Sequence, residues 1–271
     1  MSALAEPAAG LAVRVLGATV EYDGRPALRE VDLAAGPGDW VCLLGANGAG
    51  KTTLLHAIGG LVPVASGEIS LGETAVATLG RRRTAQLVAR VPQRPDVPPS
   101  MTVVDFVLMG RTPHIPYLGV EGPSDLRVVA GVLERLELTE LAARRLETLS
   151  GGELQRAVVA VALAQQAPVL LLDEPTSALD VGHQLQVLEL IDELRRERSL
   201  TVVSAMHDLA LAGQFADELV LLSEGRVASS GEPRAVLTAE NVQVHYGATV
   251  RVVEDSDGRV LVLPTRRPRR G

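Results

Sequence analysis

The residues Gly45-Ala46-Asn47-Gly48-Ala49-Gly50-Lys51-Thr52-Thr53 fit the pattern G-x-x-x-x-G-K-[ST] of a phosphate-binding loop. Before them, Trp40-Val41-Cys42-Leu43-Leu44 is a short apolar run of buried-strand type, and after them Leu54-Leu55-His56-Ala57-Ile58 opens a helix. Strand, glycine loop and helix form the context such a loop requires. Glycines Gly45, Gly48 and Gly50 let the backbone curl so that successive N–H groups face phosphate oxygens, and the helix N-terminus adds the positive end of its dipole. Lys51 is then placed to reach β- and γ-phosphates, and Thr52 to set its hydroxyl on magnesium.

Around this loop, 271 residues with 46% hydrophobic content are enough for a sizeable core. Aromatics make up only 2%, so the core is built from Val, Leu, Ile and Ala, which suits buried parallel strands. A net charge of −7 argues against a nucleic-acid binder, which needs a basic face. Cys42 is the single cysteine, so no internal disulfide forms, and its place in the strand before the loop marks it as a buried thiol in an intracellular protein. Met1 to Pro7 lacks the basic start of a secretory signal. The most apolar stretch, Ala157 to Leu172, is broken by Gln165-Gln166 and Pro168 into a helix and a strand, so any membrane is spanned by a partner.

Alternation predicts strands at Leu11–Leu16 and Ala18–Tyr22, with Asp23-Gly24-Arg25-Pro26 turning the chain toward Val31-Asp32-Leu33 in an antiparallel start. Tyr22, just upstream of the loop, suits either stacking on adenine or a half-buried strand position. Further strands are expected at Ser66–Leu71 and Val88–Gln93, the second delivering Gln93 toward the phosphates. Residues 94–147 then turn helical, with one helix from Val103 to Met109. A second lies behind a cap at Ser124, with Leu126, Val129, Ala130, Leu133 and Leu136 as its apolar stripe. A proline-rich loop, Gly110 to Gly119, joins them.

Two later stretches carry chemistry. Leu149-Ser150-Gly151-Gly152-Glu153 opens a helix on a serine cap with bare N–H groups, a second phosphate grip. Val169 to Leu172 is an apolar strand that delivers Asp173 and Glu174 at its C-terminal end, where α/β sheets place ligands. Asp173 suits a metal, and Glu174 suits deprotonation of an attacking water. A helix after Ser177-Ala178-Leu179-Asp180 is expected to bury Val187, Leu190, Ile191 and Leu194, and the strand Leu200–Ala205 ends at Met206-His207. That position favours a contact from His207 to a γ-phosphate. His56, His114, His183 and His245 lack metal-ligand spacing. Strands Glu218–Leu222, Val250–Val253 and Arg259–Leu263, the last two joined by the turn Asp255 to Gly258, complete a small C-terminal β-piece. Residues 265–271, with Arg266, Arg267, Arg269 and Arg270, read as a disordered basic tail.

The loop at 45–53, Gln93, Leu-Ser-Gly-Gly-Glu at 149–153, Asp173-Glu174, Ser177 to Asp180 and His207, in this order, resemble the ATP-binding-cassette (ABC) ATPases. The resemblance implies an α/β fold: a P-loop NTPase core of ABC type over residues 11–264, with an antiparallel β subdomain and an inserted α-helical subdomain at about 94–148. It implies ATP and Mg2+ as ligands, with Tyr22 on adenine and Gly45, Asn47, Gly48, Gly50, Lys51, Thr52 and Thr53 around the phosphates. It further implies Thr52, Gln93 and Asp173 at the metal, Glu174 as catalytic base, Gln93 also sensing the water in catalysis, and His207 as γ-phosphate switch. Ser150, Gly151 and Gly152 would grip the ATP of the other subunit in a head-to-tail homodimer, and Asp180 would be a further nucleotide-binding residue. Arg111-Thr112-Pro113-His114, Met206 to Leu209 and Val244-His245-Tyr246-Gly247 are similar to segments of the ATPases of ferric siderophore, haem and cobalamin importers. That similarity implies a peripheral subunit on the cytoplasmic face of the membrane, bound to a permease and served indirectly by a periplasmic or lipid-anchored substrate-binding protein. An ATPase of iron–sulfur cluster assembly, or of another ABC transporter, is the alternative.

Overall fold

The computed structural model describes residues 10–176, 179–256 and 258–265. Met1–Pro7, Ser177, Ala178, the turn residue Asp257 and the basic run Arg266–Arg270 lie outside the described residues. The chain opens with strands β1 (Val13–Tyr22), β2 (Arg25–Ala35) and β3 (Trp40–Leu44), followed by helix α1 (Lys51–Ile58). Then come β4 (Ser66–Leu71), β5 (Thr74–Ala75), α2 (Arg81–Leu87) and β6 (Val88–Val91). Helices α3 (Val103–Leu108), α4 (Pro123–Arg135) and α5 (Gly151–Ala164) lead to β7 (Val169–Asp173), α6 (Val181–Arg198), β8 (Thr201–Ala205) and α7 (Leu209–Phe215). Hairpin β9 (Glu218–Ser223) and β10 (Arg226–Gly231), helices α8 (Pro233–Val236) and α9 (Ala239–Tyr246), and hairpin β11 (Val250–Glu254) and β12 (Val260–Pro264) complete it.

Among the described residues the strands form three sheets. One is antiparallel, in the order β2-β1-β4-β5; the largest runs β10-β9-β3-β8-β7-β6, and β11-β12 stand apart. In the largest sheet β9, β3, β8, β7 and β6 are parallel neighbours, and β10 is an antiparallel edge. Every residue of β3, β7 and β8 is buried, which explains their unbroken Val/Leu runs: a parallel sheet covered on both faces has no polar side.

Because side chains alternate along a strand, the two faces feed two cores. Val41, Leu43, Val169, Leu171, Val203 and Ala205 join α1 and the antiparallel sheet. Trp40, Cys42, Leu44, Leu170, Leu172 and Val202 join the helices on the other side, including Phe106, Val129, Leu133 and Leu163. The helices between 94 and 148 therefore share one continuous core with the sheet.

Several local expectations need correction. The two N-terminal strands are one, β1, carried through by a bulge at Gly17 (φ +56°) where the register with β2 shifts between Val15 and Ala18. Helix α4 begins after Gly122 with Pro123 in its first turn, so Ser124 is not its cap. The Asp125 carboxylate accepts from Gly122 N instead, at 3.0 Å. Its buried stripe is Val128, Val129, Val132 and Leu133; Leu126 and Ala130 are exposed. On α6, Leu188 is buried and Leu190 only half-buried. Strand β10 and helices α8 and α9 carry too little apolar periodicity to be foreseen.

Leu133 is 5% exposed in the shared core. Leu133→Ala is expected to cost about 3 kcal/mol. Because the core is continuous, calorimetry should show one unfolding transition moving as a whole; a separate early transition would mean the helices fold as their own unit.

Candidate functional site

The sheet gathers the candidate residues by its strand order. The glycine loop follows β3, His207 follows β8, Asp173 ends β7 with Glu174 next, and Gln93 follows β6, and these four strands are adjacent. Gly45, Gly48 and Gly50 have φ of +141°, +80° and +106°. A Cβ on Gly45 would stand 2.3 Å from the Leu222 carbonyl oxygen, and one on Gly50 2.6 Å from Leu28, so the curl of the loop needs glycine at both. Gly50 caps α1 with no side-chain hydrogen bond, which leaves the first N–H groups of α1 to an external acceptor. Asn47, Gly48, Ala49, Gly50, Lys51, Thr52, Thr53, Gln93 and Glu174 line a cleft of about 380 Å³ together with Ala27.

Inside the cleft Lys51 is buried, and its ammonium donates to the carbonyls of Gly45 (2.7 Å) and Ala46 (3.2 Å). Burial pushes its pKa down, against the pull of Glu174 and Asp173. Thr52 Oγ1 donates to Asp173 Oδ1 at 3.2 Å. Burial raises the Asp173 pKa; the Thr52 hydrogen bond opposes the shift and the neighbouring Glu174 charge adds to it. Glu174 sits in the left-handed region (φ +50°), and its N–H donates to Ala205 O at 3.0 Å. Its carboxylate is held from both sides, Oε2 by Gln93 Nε2 and Oε1 by His207 Nε2, each at 2.5 Å.

Other candidates lie elsewhere. Ser150 caps α5 in a reciprocal box: its hydroxyl accepts from Glu153 N (3.3 Å), and Glu153 Oε2 accepts from Ser150 N (2.7 Å). None of Ser150, Gly151 and Gly152 lines the cleft. Asp180 caps α6 through His183 N (3.0 Å) and meets His183 Nδ1 at 2.9 Å, while the same histidine ring packs on Gly152. Tyr22 ends β1 opposite Arg25, 47% exposed and outside the cleft lining. Among the described residues no group of three or more His, Cys, Asp or Glu side chains is arranged to hold a metal. A cation here would draw on the hydroxyl of Thr52, the amide oxygen of Gln93 and the carboxylate of Asp173, an all-oxygen set suited to a hard divalent ion.

Three features around the cleft have no signal in the local sequence. Ala27, in β2, closes one wall of the cleft. Arg90, on β6, and His56, in the last turn of α1, act electrostatically on each other and on Asp173. Gly45 N donates to the hydroxyl oxygen of Tyr246, 201 residues away, at 2.7 Å. In the sequence Tyr246 stands out only within the Val244–Gly247 resemblance, since nothing in local spacing links it to the loop.

A protein-family model described as ABC transporter matches residues 28–177. The cobalamin import ATP-binding protein of Halobacterium salinarum is 41% identical over 251 residues, which cover 92% of this chain and 63% of that protein. The hemin import ATP-binding protein of Nocardia farcinica is 40% identical over 267 residues, 96% of this chain and 92% of that one. Among solved structures, an inward-facing one described as a metal-chelate type ABC transporter superposes with a TM-score of 0.82 at 30% identity, covering 95% of this chain and 98% of the other. With a family match over more than half of its length and relatives of this identity and extent, the chain belongs to the ABC transporter family.

Proposed function

We propose that this chain is the ATP-hydrolysing subunit of an ABC importer, and that residues 11–264 form its working ATPase unit. The observation that carries the reading is Glu174, gripped by Gln93 and His207 at a cleft lined by the glycine loop. ATP phosphates would take the loop N–H groups and the ammonium of Lys51, which exchanges its carbonyl partners for them. Tyr22, exposed at the end of β1, is available to stack on the adenine. Glu174 would accept the proton of the attacking water, with His207 and Gln93 fixing the carboxylate and answering the γ-phosphate. Thr52, Gln93 and Asp173 would hold Mg2+, which when bound neutralises phosphate charge.

The second anion grip, Ser150 to Gly152, stands outside the cleft lining, so it would serve a nucleotide on another copy. That supports a head-to-tail homodimer closed by ATP, with Asp180 near the seam. Among the described residues no helix is long and apolar enough to cross a membrane. A permease would therefore carry the cargo while this subunit sits on the cytoplasmic face, with a periplasmic or lipid-anchored binding protein delivering substrate. The two import relatives and the metal-chelate type neighbour support a ferric chelate, haem or cobalamin as that cargo.

Purification of Glu174→Gln protein with ATP from detergent-solubilised host membranes is expected to bring down a polytopic permease; soluble scaffold proteins alone would point to iron–sulfur assembly. The same variant should keep ATP affinity, lose at least about 100-fold in turnover and run as a dimer on sizing chromatography, and full activity would remove Glu174 from the base role. Lys51→Ala should weaken ATP binding by about 10- to 100-fold in calorimetry, the loss of a charge-assisted hydrogen bond to phosphate.

Asp173 gives a pH signature. Its raised pKa means the folded chain keeps a proton that the unfolded chain has released, so stability falls as pH rises from the ordinary carboxylate range through the folded value. Asp173→Asn removes that loss. Without nucleotide it should melt about 2–4 °C higher at neutral pH, with the gain fading below about pH 4, and it should lose ATP turnover. A lower melting temperature at neutral pH would mean that the Thr52 hydrogen bond outweighs the burial of the charge.

A further inference from the structure

We propose that Tyr246 is a positioning residue of the nucleotide site, its hydroxyl oxygen holding Gly45 N–H so that the C-terminal segment braces the phosphate loop. The proposal rests on reading this loop as the ATP site. Gly45 lies one residue beyond the end of the β3–β9 ladder, whose last partners are Leu44 and Leu221. Among the described residues no neighbouring strand is paired with Gly45, and a buried N–H without an acceptor is costly. Tyr246 supplies that acceptor at 2.7 Å from the half-buried end of α9.

The tyrosine is itself fixed. Thr238 caps α9 through Asn241 N, Asn241 Nδ2 donates to Val236 O at 2.8 Å, and Gly247 ends the helix in the left-handed region at φ +65°. Beyond it, Val260 and Val262 of β12 are buried, and the Val260 carbonyl stands 2.8 Å from where a Cβ on Gly213 of α7 would lie. The segment from α8 to β12 thus touches the loop at one end and, through α7, the element that follows His207 at the other.

Gly45 also carries the carbonyl on which Lys51 rests. One residue therefore gives its N–H to Tyr246 and its oxygen to Lys51. When Lys51 turns to a phosphate, the hydroxyl of Tyr246 keeps Gly45 where the cleft needs it, so the loop meets its ligand already ordered.

Tyr246→Phe tests this, since it keeps the ring and deletes the acceptor. In the nucleotide-free full-length chain, hydrogen exchange read by mass spectrometry over residues 44–50 should accelerate at least about tenfold. The KM for ATP should rise about three- to tenfold with kcat held within about twofold and the unfolding midpoint retained. Tyr246→Leu, which removes the ring as well, should in addition lower the unfolding midpoint. Unchanged exchange and unchanged KM in Tyr246→Phe would overturn the proposal and leave the tyrosine a packing residue. Lys51→Ala run alongside separates the two readings: if it binds ATP as tightly as the wild type, the loop is not the ATP site, and the exchange result still reports on the Gly45 hydrogen bond.

Discussion

The parallel register of β3, β8 and β7 is the constraint on which the rest depends. Leu43 pairs with Ala205, and Ala205 pairs with Asp173, so the three strands end at one level and release the glycine loop, His207 and Glu174 side by side. A slip of one residue in any of them would turn Leu43 or Leu172 to the opposite face and break both cores at once. Burial on two faces thus fixes the geometry of the cleft, and the site has no means of drifting unless the core is repacked.

The second consequence of that burial is electrostatic. Asp173 and Lys51 stand where water is scarce, and the field of each acts on the other with little screening. Both are satisfied within the protein, Lys51 on carbonyls and Asp173 on a hydroxyl. Glu174 is likewise occupied by Gln93 and His207. Each of these partners binds more weakly than a phosphate or a cation would, so these contacts are ordered yet exchangeable.

The sequence made the central strands and the glycine loop legible because both rest on local rules: unbroken Val/Leu runs in β3, β7 and β8, and glycines at three left-handed positions. The serine cap of α5 was legible for the same reason, with Glu153 three residues on. At α4 the local rule misled. Ser124 looks like a cap, but Pro123 fits the first turn and Asp125 reaches back to Gly122, which moves the start. What stayed hidden was long-range: Ala27 on the cleft wall and Tyr246 on Gly45 depend on how distant segments fold back, and no periodicity encodes that. The helices at 94–148 stand out in sequence as a change of pattern, whereas their shared core with the sheet emerges only in three dimensions.

The cap at Ser150 decides which donors α5 presents at its start. A hydroxyl offers one proton and two lone pairs, and here a lone pair is already taken by Glu153 N while the rotamer is fixed by that bond. The remaining proton faces the Glu153 carboxylate, which also accepts from Ser150 N, so the two side chains of the box are engaged with each other. That leaves the amides of Gly151 and Gly152, the first of α5, as the open donors at this end. An acceptor brought to these amides therefore finds the capping side chains already committed to each other and only backbone donors to meet.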